Sequence, residues 1–159
     1  MVLFVAMASC SKDEDSSSNV SELEYTIDLN LAQETDWTMA NEILNLINEH
    51  RATIGLAAIV KDQEYASAYA VDHSLYMMDE GKISHANFNE RKNALKSRGA
   101  KTVGENVAYG YDNAQSVVTA WLNSPSHKNI IEGNYTHSGF GVLPYDNGTY
   151  YFTQLFYKQ

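Results

Sequence analysis

The sequence predicts an α+β domain, with helices packed over a small antiparallel sheet. Three observations carry this. Apolar residues recur at helical spacing through much of the chain up to about residue 131. The last part instead reads as two short apolar strands, and Asp146-Asn147-Gly148 stands between them as a hairpin turn. Helices thus come first and an antiparallel pair last, an order that segregates the two kinds of element.

The 159 residues fit one domain with a real core, and the formal charge of −9 is unevenly placed. Up to Asp36 there are eight acids (Asp13, Glu14, Asp15, Glu22, Glu24, Asp28, Glu34, Asp36) against Lys12 alone. The remainder is nearly neutral and carries no basic stripe, which makes nucleic acid a poor partner. Cys10 is the single cysteine, so no disulfide is expected.

The N-terminal stretch divides into an apolar run, 1–10, and an acidic, Ser-rich tether, 11–36. The run is too short to span a bilayer and lacks the positive n-region of an export signal, which leaves room for a start codon upstream. Its end, Ala8-Ser9-Cys10, resembles the lipobox of bacterial lipoproteins, in which the cysteine is lipidated. Ser11-Lys12-Asp13-Glu14-Asp15 resembles the acidic signal that sends some Bacteroidetes lipoproteins to the cell surface. The expectation is a protein on the outer membrane or cell surface, held to the membrane by its lipid anchor only.

The folded domain is expected over 37–159. Trp37, Ala40, Ile43, Leu44, Ile47 and Ile54 predict a first helix from Trp37 to Thr53, stopped by Gly55. Ala66, Tyr69, Ala70, His73 and Met77 predict a second over 62–80, with Gly81 as its left-handed end and His73 in the core. A short helix over 90–98 ends at Gly99. Val103, Val107 and Tyr109 alternate through 101–111, a short strand or extended loop. Ala114, Val117, Val118, Trp121 and Leu122 form the stripe of a third long helix, capped by Asp112 or Asn113. Ser124-Pro125 then restarts the chain as a small helix, with serine as N-cap and proline at the first helical position. Strands over 137–143 and 149–157 close the domain.

Chemistry gathers at three points. His85 follows Ser84 in a loop, Glu105 follows Gly104, and His127 falls in the first turn of the small helix, whose positive end favours a neutral ring. Each alone is weak, since a loop histidine is more often a surface or capping residue. Together, two imidazoles and one carboxylate are the ligand set of a His₂Glu zinc site, able to activate water for ester or amide hydrolysis. The same groups could equally be a hydrogen-bonded cluster tying three loops together. His50 and His137 show only surface placement.

In order and spacing, several motifs resemble the CAP superfamily of cysteine-rich secretory, antigen five and pathogenesis-related proteins, in its short bacterial branch. They are Ala70-Val71-Asp72-His73-Ser74, Ser84-His85, Gly104-Glu105-Asn106-Val107-Ala108, Ser124-Pro125-Ser126-His127, Gly139-Phe140-Gly141-Val142 and Phe152-Thr153-Gln154-Leu155-Phe156. The resemblance implies a three-layer α-β-α sandwich and a cleft in which His85 and His127 can hold a divalent metal such as zinc beside the acid Glu105. The family's second acid falls at Ser124, so its tetrad is incomplete. Superfamily members bind lipids, glycans or proteins, and a few are proteases, so two functions stand. One is a binding module for an envelope or host lipid, glycan or protein; the other is a metal-assisted hydrolase using the same cleft.

Overall fold

The computed structural model describes residues 26–159, so Cys10 and the export-signal readings lie outside the described residues. The elements run α1 (Trp37–Thr53), β1 (Val60–Lys61), α2 (Tyr65–Glu80), α3 (Phe88–Ser97), β2 (Thr102–Tyr111), α4 (Ala114–Asn123), α5 (Pro125–Ile131), β3 (His137–Pro144) and β4 (Tyr150–Lys158). The strands form one sheet in the order β1-β3-β4-β2, antiparallel except for the two-residue parallel pairing of β1 with β3.

Side-chain alternation on β4 sorts the layers. Phe152 and Phe156 join a core made with α1, α4 and Ile131 of α5, whereas Tyr151 and Leu155 turn to the opposite face and pack with residues of α2. Helices therefore cover both faces, giving the three-layer α-β-α sandwich. The approach of α2 is closest at Gly139 and Gly141, where an added Cβ would lie 2.2 Å from backbone atoms of Ala66 and Ala70. Only glycine lets that helix lie flat on β3.

Several boundaries differ from the sequence reading. The segment 101–111 is a ten-residue strand paired along its length with β4, not a short one. Helix α2 starts at Tyr65, because Asp62 stands outside it and accepts from the backbone N–H groups of Glu64 and Ala66. Asn113, rather than Asp112, caps α4. Ile54, assigned to the apolar face of α1, is 47% exposed, and Arg51 is buried instead. Its guanidinium donates to the carbonyls of Ala57, Ile131 and Gly133, pinning the end of α5 to the end of α1.

Order also begins before Trp37, within the stretch read as tether. Leu29–Glu34 forms a 3-10 turn, Ala32 is buried, and the Thr35 hydroxyl donates to the Phe140 carbonyl. The Asp36 N–H then donates to the Val142 carbonyl at 2.9 Å. Six residues of 3-10 helix are too few to leave a periodic apolar pattern, so acidic composition dominates the appearance of this stretch.

Candidate functional site

The site is built around an edge strand whose consecutive residues face opposite layers. On β2, Glu105 points with Val103 and Val107 toward the α2–α3 layer, and Asn106 points toward α5. Glu105 is almost fully buried, with 1% of its side chain exposed. Arg91 of α3 grips it through Nε–H to Oε2 at 2.9 Å and an Nη2–H to Oε1 at 3.0 Å. The remaining partner is His85, whose Nδ1 lies 2.8 Å from Oε1 while 55% of its side chain is exposed. With the carboxylate as acceptor, Nδ1 carries the proton and Nε2 is the basic nitrogen.

Further bonds fix the loop carrying His85. His73, buried on α2 as expected, lies with Nε2 2.7 Å from the Ser84 carbonyl and stacks on Tyr76. Arg91 also donates to the Ala86 carbonyl. The loop is thus held on either side of His85 before any ligand arrives.

On the other side of β2, the Asn106 amide donates to the His127 carbonyl at 3.2 Å. The Ser124 side chain makes no cap bond to the backbone of α5, contrary to the N-cap expectation. Its Oγ lies 2.9 Å from Nδ1 of His127 instead, so the hydroxyl orients the ring. Burial first, and then the charge of His85, holds the His127 imidazole below its ordinary pKa. Burial thus favours the neutral ring that the helix terminus is also expected to favour.

Glu105 thus lies on one strand segment, to which His85 and His127 are each joined by one hydrogen bond and Ser124 through His127. Their arrangement differs from a His₂Glu ligand set. Both oxygens of Glu105 are engaged by Arg91, whose positive charge lies where a cation would have to approach. Among the described residues, no group of three His, Cys, Asp or Glu side chains is gathered to hold a metal. Two imidazoles fit a cation better than three ligands do: each has Nδ1 committed, to Glu105 or to Ser124, which leaves Nε2 for a ligand. A hollow of about 390 Å³ beside His85 is lined by Asn87, Phe88, Asn89 and Glu90.

Sequence reasoning passed over Arg91, which stands in a polar run, Asn89-Glu90-Arg91-Lys92-Asn93. Its signal was positional: Arg91 shares the i, i+3, i+4 stripe of α3 with the buried Ala94 and Leu95. His50 and His137 are likewise more than surface residues. His50 pairs with Glu132 at 2.8 Å, and His137 stacks on Tyr157.

A small four-stranded sheet covered by helices on both faces is the fold of SCP domains, the class in which this architecture places the chain. The chain belongs to the cysteine-rich secretory protein (CAP) family, whose model matches residues 44–156. Among curated relatives, the membrane protein YlbC of Bacillus subtilis is 35% identical over 129 residues, 77% of this chain and 35% of its own length. YkwD of the same organism is 36% identical over 107 residues, 64% of this chain and 41% of its own length. This chain therefore spans well under half of either relative. Among solved structures, an outer surface protein from Borrelia burgdorferi matches with a TM-score of 0.67 at 24% identity, covering 77% of this chain and 93% of its own. An extracellular SCP-domain protein from Bacillus anthracis matches at 0.64 and 26% identity, covering 81% of this chain and 43% of its own.

Proposed function

We propose that this protein is an extracytoplasmic, lipid-anchored binding module that takes a lipid, glycan or protein ligand in the cleft at His85, Glu105 and His127. In this reading His85 and His127 hold a divalent cation, zinc by the chemistry of its donors, through their Nε2 atoms. The observation that carries it is the paired commitment of Nδ1, to Glu105 on one ring and Ser124 on the other. Metal-ligating histidines characteristically donate their second nitrogen in this way, which fixes tautomer and ring direction. A cation there would act as a Lewis acid toward an oxygen of the ligand. Glu105 then orients His85 rather than ligating.

The hydrolase reading ranks second because a general base needs an available proton acceptor at the reacting centre. Glu105 is buried against Arg91, and Ser124 stands where the family's second acid would be. Anchoring through Cys10 agrees with the relatives described as membrane, outer-surface and extracellular proteins. Among the described residues, no helix is long and apolar enough to cross a membrane.

Calorimetric zinc titration tests the site. Wild type should bind, His85→Ala and His127→Ala should each bind more weakly, and affinity should fall in acid once His127 protonates, at a pH below the ordinary imidazole range because burial lowers its pKa. Unchanged zinc affinity in the double variant would remove the metal from the proposal.

A further inference from the structure

Among the described residues, the buried side-chain polar atoms left without a hydrogen bond in the protein are Asn106 Oδ1 and Gln154 Oε1. Their residues are 0% and 1% exposed, so bulk solvent does not reach them. Both atoms belong to one place, because Asn106 of β2 stands directly opposite Gln154 of β4. Side chains opposed in this way share a face of the sheet, with Cβ atoms about 4.5–5.5 Å apart. The face is the one that α5 covers. Gln154 lies between Phe152 and Phe156 along β4 and opposite Phe140 of β3, so the two amides form a polar island in an apolar layer.

Turning either amide over does not satisfy the oxygens. The Asn106 NH2 donates to the His127 carbonyl at 3.2 Å, and a reversed amide would set oxygen against oxygen there. The Gln154 NH2 donates to Ser138 Oγ at 3.0 Å. The single hydroxyl hydrogen of Ser138 goes to the Leu155 carbonyl, so toward Gln154 this oxygen only accepts. Each amide is thus oriented by its nitrogen, and each is left with an acceptor. A buried acceptor without a donor is costly.

We infer that one internal water binds between Asn106 and Gln154 and donates one hydrogen to each oxygen. Its two hydrogens match the two acceptors, and buried waters make roughly two to four bonds to polar groups that lack other partners. A cation fits less well: calcium takes about six to eight oxygen ligands, and this layer offers two amide oxygens. The water holds the Asn106 amide at its second end. Asn106 is thereby a positioning residue for His127, tied through the water to Gln154 and on to Ser138 of β3. This support is independent of anything that binds at the imidazoles.

The test is a high-resolution crystal structure of the protein together with water–protein NMR. A water oxygen should lie within about 2.5–3.0 Å of both Asn106 Oδ1 and Gln154 Oε1. The Asn106 side-chain amide protons should show a cross-peak to a long-lived water. Gln154→Met nearly conserves side-chain volume and removes the acceptor, so the cross-peak should vanish and the His127 carbonyl carbon signal should shift. Should that variant fail to fold, the wild-type water position and cross-peak decide the matter. A direct bond between the two amides, a metal ion in place of the water, no density between the oxygens, or a cross-peak that persists in Gln154→Met would each overturn the assignment. An unmoved His127 carbonyl signal would overturn the positioning role.

Discussion

Replacing Arg91 by methionine keeps most of the aliphatic stem and removes the charge, which isolates the role of its ion pair. Arg91 and Glu105 have side chains 3% and 1% exposed, so water cannot take the place of the guanidinium. Two charge-assisted bonds are lost, at 2.9 and 3.0 Å, together with the bond to Ala86. At about 1.5–3 kcal/mol for each charged bond, the loss is about 3–6 kcal/mol. Removing one partner of a buried pair costs about 3–5 kcal/mol, and the two estimates agree. Urea denaturation should show this loss, and the melting temperature should fall by roughly 6–20 °C, at about 2–4 °C per kcal/mol for a chain of this size. Adding Glu105→Gln removes the stranded charge, so the double variant should be more stable than Arg91→Met alone. Zinc affinity in Arg91→Met should fall about 10–100-fold, because the group that orients His85 has lost its own support. A loss below about 1 kcal/mol, or a double variant that simply sums the single losses, would refute the account of Glu105 as a carboxylate held by Arg91.

Trp121 is buried, with its indole N–H donating to the Val107 carbonyl at 3.2 Å, so Trp121→Ala should cost about 3–5 kcal/mol in denaturant titration. Burial first, and then the Arg91 charge, lowers the His73 pKa, so the unfolded chain takes up protons at this site before the folded one. Stability should therefore fall as pH drops below about 6.5, and His73→Gln should reduce that slope in melts between pH 7 and pH 5. Ser124→Ala removes no backbone cap bond, so stability should change by about 0.5 kcal/mol or less. The same variant should alter the tautomer balance of His127, read from its ring-nitrogen NMR shifts. Cys10→Ala should move the protein from the membrane fraction to the soluble one, and continued membrane association would contradict a lipid anchor.

The sequence made α1 and the long arms of the hairpin legible because their apolar periods are clear and their stops are glycine or an Asx-Gly turn. Helix α1 has the predicted bounds, and Asn147 and Gly148 take the positive φ values, 60° and 75°, that such a turn requires. The two-residue β1 and the 3-10 turn at Leu29–Glu34 are too short to show any period. The site residues were legible as types, but not their division of labour. Ser124-Pro125 has the pattern of a cap, yet the Ser124 hydroxyl bonds to an imidazole three residues on instead of to a backbone N–H. Local pattern cannot rank those two partners, because the choice depends on where α5 is held by Arg51 and Asn106.

The Gly104-Glu105-Asn106 motif also acquires a reason that spacing alone does not supply. A β-strand shows successive side chains to opposite faces, so adjacent residues on one strand can serve two layers at once. Glu105 reaches the layer of α2 and α3 and holds His85, whereas Asn106 reaches α5 and holds the backbone of His127. Gly104 leaves room on the α5 side, where an added Cβ would lie 2.6 Å from the Tyr135 hydroxyl oxygen. Shifting this strand by one residue would exchange the two faces and separate the histidines from both supports. Its register is fixed by pairing with β4 from Thr102 through Tyr109, where Glu105 faces Leu155 and Asn106 faces Gln154. The position of the two histidines is thus set by the sheet, and the helices and loop that carry them are fastened to it by one residue each.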